Sequence, residues 1–583
     1  PLVAVSAGVL LLAPGLLLVR GFRGVVGAGD WVLRSLAVSI GLVSAAATIA
    51  QVGFGVSLRG RAFGLLVVGL AAAAFAASLL AARPEPGRFS RADRHALVAM
   101  LVLPAGLTAV LAPKFLWESF NGDGSHAYEA ARLLLSAPGP FWPPEAGGVA
   151  TYPGLKTFLV SYPLSWFLRL FGETEASVRL PFLLFLAAGV HAGVVALIDV
   201  GRAARGAADR WLVWIGLVVF TLVMAYSATY SPYSADLALP GAADALFIAW
   251  FLGLAWAFLT GRFVWVAAFA LLTYATSPGG LVLVALWLGA TMLVVRPRPL
   301  RPAAVALGMI VLCLLAERAG PAVLGALGLP APGTEHGTGT LAERLLRVQW
   351  TDWKRFIYVI VPCGIAPALA VLAWRKQDPV ARAVTLVALA QFAFFFVQAR
   401  VSLHYFAPAM VLPLVVYWRI AGQEPGPVAA RYRWAAVAGG LVAAGASLPG
   451  DLRPFTAARE VGMTIEDRIG GYDRSNPEGF RAAELLHELF PTEAGRQVPD
   501  RLYGGSHLQW LHYANRPGGR RQVNYVLQRA GDPPPPGMRL AAARNGAALY
   551  MADDSVLARQ QVLHPGSSIA RIYRISRRTL FRG

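Results

Sequence analysis

The stretch Trp117-Glu118-Ser119-Phe120-Asn121-Gly122-Asp123-Gly124-Ser125-His126-Ala127-Tyr128-Glu129 gathers Asp123, His126 and Glu129 close together. Glycines flank Asp123, and a residue without Cβ lets backbone or ligand approach closely. A carboxylate at such a point can take the proton of an attacking hydroxyl. The same carboxylate would also cap the helix expected over 125–136. The two roles are compatible, and both stay open. His126 and Glu129 stand three apart, on one helix face. They form one edge of a metal site, but no third ligand lies within reach in the sequence. No cofactor is assigned, and a divalent metal is left open.

The elements that must hold these groups are membrane spans. The chain has 583 residues, 56% hydrophobic and 14% charged. An ordinary soluble protein carries roughly 25% charged residues, so this composition excludes a soluble globule and predicts a polytopic α-helical membrane protein. A span needs about 20 apolar residues. About fourteen runs qualify, near 2–20, 35–57, 62–82, 95–113, 178–199, 211–230, 241–260, 263–277, 280–296, 302–316, 354–374, 380–397, 404–420 and 433–449. Cys313 and Cys363 both lie in apolar runs, without metal-ligand spacing, so no disulfide or zinc site is expected. The first run, 2–20, has no basic residues ahead of it and is read as a span.

Net charge is +20, from 52 basic and 32 acidic residues. Its placement argues for orientation and against nucleic acid. Loops 20–34, 83–94, 200–210, 261–262, 296–301, 375–382 and 419–433 hold 20 basic residues; the opposite short loops, 58–61, 231–240, 278–279 and 398–403, hold 3. Basic loops stay in the cytoplasm, so the second set faces outward. The long loops 114–177 and 317–353 and everything beyond 450 go with it. This parity requires 155–172 to lie flat on the outer surface and not to cross. Tyr162, Trp166 and Phe167 suit such a place, each with an apolar body and a wet edge. The expected localisation is a bacterial inner (plasma) membrane.

Three regions follow: added spans at 1–94, a membrane core at 95–450, and an outer α/β domain at 451–583. In the last, charge rises to 19 Arg against 13 acidic residues. Residues 477–490 have helical periodicity, 523–528, 547–551 and 569–575 read as strands, and Pro533 to Gly537 as a rigid turn. Trp510, His512, Tyr513 and Arg516 in this domain suit glycan contact or a small core equally. Gly333, Gly337 and Gly339 loosen the centre of loop 317–353, which suits a lid or a plain connection.

A series of motifs across 95–420 carries a resemblance. After the Asp123 loop come Tyr152-Pro153-Gly154-Leu155, then Leu170-Phe171-Gly172-Glu173-Thr174-Glu175, then Val178-Arg179-Leu180-Pro181. Asp244-Ala245-Leu246-Phe247 precedes an apolar run, and Arg400 precedes His404-Tyr405-Phe406-Ala407-Pro408. In type and order these resemble the C-type glycosyltransferases, in particular the branch holding dolichyl-phosphate-mannose–protein mannosyltransferases and lipid A aminoarabinose transferases. The resemblance implies a membrane glycosyltransferase that moves a hexosyl or pentosyl group from a polyprenyl-phosphate donor in the bilayer to an acceptor hydroxyl on a protein, lipid or glycan. It implies inversion at the anomeric carbon on the outer face, with Asp123 as base. Arg400, His404 and Lys156 would neutralise the departing phosphate, a charge that grows in the transition state, and Tyr405 would donate a hydrogen bond to it. Asp244 or Asp236 would be the second outer carboxylate. Two features depart from the pattern. The surface helix opens on Ala150-Thr151-Tyr152-Pro153, without the Lys and acidic residue found in some members, and Gly124 stands where the mannosyltransferases carry a second acid.

Each cation also has a structural reading. Arg400, His404 and Lys156 can anchor at the interface, Asp244 can cap the helix it opens, and Arg179 can pair with Glu173 or Glu175. A transporter or lipid flippase is the alternative from another class; it would place ionisable residues within the spans. A non-catalytic envelope scaffold is a third.

Overall fold

The computed structural model describes residues 2–20, 27–81, 93–100, 102, 135, 162–171, 189–200, 243–276, 278–326, 367–368, 370–397, 407–423, 427, 525–529, 539–544 and 547–551. Most of them are helical. In chain order the helices are α1 Leu2–Arg20, α2 Ala28–Thr48, α3 Arg61–Leu80, α4 Tyr162–Phe171, α5 Gly189–Asp199, α6 Ala243–Leu259, α7 Phe263–Thr276, α8 Pro278–Val294, α9 Leu300–Ala326, α10 Pro379–Val397 and α11 Ala407–Gln423. Residues 93–100 are also helical. The expected runs 211–230 and 433–449 lie outside the described residues, as does most of 354–374. So do helix 477–490, strand 569–575 and the Pro533–Gly537 turn.

Long runs of Leu, Ala, Val and Phe favour helix and supply apolar surface on every side, so a helix built from them is buried all round or faces an apolar medium. Both outcomes occur. Helix α6 is sealed by its neighbours from Ile248 through Phe258. Helix α3 leaves Leu65, Val68, Phe75, Leu79 and Leu80 exposed, and α9 leaves Leu307, Val311, Leu312, Leu314 and Leu315 exposed. By length and composition, Ala28–Gln51 and Arg61–Leu80 could cross a membrane; the other apolar helical stretches among the described residues, such as Leu300–Ala316 within α9, run 10–17 residues.

Packing runs through close neighbours. Helix α2 packs on α1 and α3, α7 on α6 and α9, and α10 on α8 and α11. Glycine allows the tightest approaches. A Cβ at Gly29 of α2 would lie 2.5 Å from the Ala192 carbonyl oxygen and 2.6 Å from the Ala196 nitrogen, both backbone atoms of α5. Tryptophans fill the centre: Trp287 of α8 meets Phe251 and Phe258 of α6 edge-on.

Three boundaries differ from expectation. Helix α2 starts at Ala28, more than a turn before the expected span at 35, so Asp30 and Arg34 are helical. Hydropathy marks where apolar residues begin; a helix extends further when its charged residues neutralise each other, as this i,i+4 pair does. Helix α9 continues to Ala326, ten residues past the apolar run and into the expected loop 317–353. Gly320, Pro321 and Gly325 lie in this extension and disfavour helix, so local propensity does not account for it. Helix α4 lies within the expected surface segment, yet Trp166 and Phe167 are buried against the chain and lack the wet edge predicted for them.

Late in the chain, strands β1 Tyr525–Arg529, β2 Arg539–Arg544 and β3 Ala547–Met551 form an antiparallel sheet in the order β1-β3-β2. Strands β1 and β3 fall where the Val, Tyr and Leu residues predict them. Strand β2 (RLAAAR) has no β-branched or aromatic residue, so it carries no strand signal of its own. Pairing with β3 defines it.

Candidate functional site

Helix α2 contributes to both ends of the bundle, and each end has its own arginine. At one end is Arg169, on the last turn of α4 and almost fully buried. Its Nη1 donates to the Leu58 carbonyl oxygen at 2.7 Å and its Nη2 to Gln51 Oε1 at 3.2 Å. Its guanidinium lies 6.0 Å from the Phe63 ring centre. Gln51 can reach it because α2 continues into a wider turn, Ile49–Gly53. The Gly60 N–H closes the contact by donating to the Arg169 carbonyl oxygen at 2.6 Å, from a left-handed backbone (φ 53°) that only glycine adopts freely. This arginine docks α4 on the α2–α3 hairpin.

The other end holds several charged groups. Arg34 is fully buried and ion-paired with Asp30, with Trp256 and Trp265 at 5.5 and 5.4 Å from its guanidinium carbon. The backbone N–H of Ala28 donates to Asp93 at 3.3 Å, and a Cβ at neighbouring Gly27 would lie 3.2 Å from an Asp93 carboxylate oxygen and 3.3 Å from one of Asp199. Arg419 of α11 completes this end. Its Nη1 donates to the carbonyl oxygens of Leu197 and Val200, each at 2.8 Å, and of Ile198 at 3.3 Å. Its Nε reaches Asp378 at 3.2 and 3.0 Å, and Nη2 pairs with the same carboxylate. One guanidinium thus satisfies the last carbonyls of α5, which have no partner within their own helix, and ties them to the start of α10.

These contacts sort the loops. Gly27, Asp93, Val200, Arg262, Asp378 and Arg419 all belong to the arginine-rich set of connections, and they meet at one end. Leu58, Gly60 and Arg169 belong to the opposite set, and they meet at the other. Helix α10 has 19 residues, about 28 Å at the usual rise. Val397 and Ala407, at the α10 and α11 termini away from Asp378 and Arg419, therefore lie on the Arg169 side. So does Ala243, the start of α6, whose far end carries Trp256 with Arg262 just beyond it.

Of the predicted site residues, Asp244 falls in the first turn of α6, a position suited to an acidic group. Asp123, Asp236, Lys156, Arg400, His404 and Tyr405 lie outside the described residues. Asp30, Arg34, Asp378 and Arg419 carry the most charge in the described core, and none was singled out from sequence. Asp30 and Arg34 were findable, since opposite charges four apart at a span's edge form an i,i+4 pair. Asp378 and Arg419 lie 41 positions apart, and no periodicity links them. Among the described residues, no group of three or more His, Cys, Asp and Glu side chains could hold a metal ion. No protein-family model matches the chain, and no curated protein matches it.

Proposed function

We propose that the chain is a polytopic membrane glycosyltransferase working on the outer face of a bacterial inner membrane. The donor is a sugar on a polyprenyl phosphate and the acceptor a hydroxyl on a protein, lipid or glycan. The acceptor oxygen attacks the anomeric carbon from the side opposite the phosphate. The bond from that carbon to the phosphate oxygen breaks, and the lipid phosphate leaves with the bonding electrons. The acceptor proton passes to the Asp123 carboxylate. Arg400, His404 and Lys156 stabilise the phosphate as its charge develops, with Tyr405 donating a hydrogen bond. Asp244 or Asp236 orients the acceptor or donor sugar.

One observation carries this reading. By helix length and direction, Ala243, Val397 and Ala407, the helix ends next to the predicted Asp244, Arg400 and His404-Tyr405 positions, point away from the arginine-rich connections near Arg34 and Arg419. A donor held in the outer leaflet needs its reactive groups collected on that side. The exposed apolar faces of α3 and α9 suit a lipid surround. The test is sugar transfer from a polyprenyl-phosphate sugar by the purified protein. Asp123→Asn abolishes transfer and leaves folding intact; full activity in that variant removes Asp123 from the mechanism.

A second reading, a transporter or lipid flippase, draws on His191, which is fully buried within α5, since transport proteins place ionisable groups inside spans. Lipid or solute movement in proteoliposomes, without sugar transfer, would favour it.

A further inference from the structure

We propose that Arg262, Arg296, Arg298 and Arg301 form a binding surface for the headgroups of anionic phospholipids in the inner leaflet. The proposal rests on the membrane reading above and is independent of sugar transfer. Arg262 is half-exposed, and Arg296, Arg298 and Arg301 are exposed. No carboxylate pairs with them among the described residues. Arg262 is held by stacking on Trp256, 5.4 Å from the ring centre. Arg296 uses Nη1 to close the end of α8, donating to the carbonyl oxygens of Met292 and Val295 at 3.0 and 3.1 Å, which leaves its other donors for a ligand.

The fold brings these arginines to one rim. Helices α7 and α9 pack together and both begin at the Arg34 end, α7 directly after Arg262 and α9 after the connection carrying Arg296 and Arg298. Apolar side chains stand bare beside them: Phe263 and Val264 on α7, Leu293 on α8, Leu300 and Leu307 on α9. Exposed arginines at these helix ends, beside bare apolar side chains, have the two-part chemistry of a phospholipid, with phosphate oxygens accepting from arginine and acyl chains lying along leucine and valine. A soluble anion would use the arginines and leave the apolar face uncovered, so the occupant is a lipid.

The test places full-length protein in nanodiscs of phosphatidylcholine with graded phosphatidylglycerol. Lipids retained on transfer to detergent are then counted by native mass spectrometry. Wild type retains phosphatidylglycerol over phosphatidylcholine. The triple variant Arg296→Gln, Arg298→Gln, Arg301→Gln spares the Arg262–Trp256 stack and loses that preference, by about fivefold per arginine removed. The variant Arg59→Gln, Arg61→Gln, altered at the opposite end of the bundle, keeps it. An unchanged preference in the triple variant overturns the proposal while the membrane reading stands. Equal loss in the Arg59 and Arg61 variant overturns it too, because net charge and not this surface would then govern retention. A protein that enters no nanodisc of either composition overturns the membrane reading and this surface with it.

Discussion

Replacing Arg169 with Met should undock α4 while leaving the rest of the bundle folded. Met keeps most of the apolar stem and removes the charged fork. Two hydrogen bonds are lost, the one to the Leu58 carbonyl at 2.7 Å and the one to Gln51 at 3.2 Å, together with the contact over Phe63. Bonds from a charged donor contribute about 1.5–3 kcal/mol each. The longer bond counts for less, and the Gly60 N–H to Arg169 carbonyl bond survives the substitution, so the expected net loss is about 3 kcal/mol. Each 1.4 kcal/mol is tenfold, which makes local opening of α4 about 100-fold more frequent. Hydrogen exchange read by mass spectrometry on the detergent-solubilised protein measures this directly: amides of 162–171 lose protection, and those of 379–397 serve as the internal control. Protection of 162–171 within about threefold of wild type would show that burial of Trp166 and Phe167 holds α4 without the arginine, and would refute the reasoning.

Other outcomes follow from the same contacts. Arg419→Leu removes the cation from the Asp378 carboxylate, which keeps its bond from the Ala381 N–H, and takes the donor from the carbonyls of Leu197, Ile198 and Val200; it should cost about 3 kcal/mol in a denaturant titration, the low end for a broken buried pair, because Asp378 is partly exposed. Arg419→Lys should recover only part of that loss, since an ammonium lacks the fork that bridges carboxylate and carbonyls. Gly29→Ala puts a methyl against the α5 backbone and should destabilise by about 1–3 kcal/mol in the same titration. Cysteine introduced within 200–210 should stay unlabelled by an impermeant reagent applied to intact cells; labelling there would invert the proposed orientation.

Much of the helical framework was legible from composition and run length, because a helix of apolar residues declares itself locally. The break between α7 and α8, the segment holding α4, and strands β1 and β3 fall where their residue types predict. What sequence could not supply were the pairings between distant positions. Arg34 reads as a loop cation until Trp256 and Trp265 arrive from α6 and α7 to cover it. Arg419 reads as one more basic residue at a span's end, yet it binds three carbonyls more than 200 positions away. Strand β2 has no strand-forming residues, and Gly29 looks like any other glycine until the α5 backbone approaches it. In each case the deciding term is desolvation or close packing by a partner remote in the chain. Such a term has no period and no fixed spacing, so it exists only once the fold has closed.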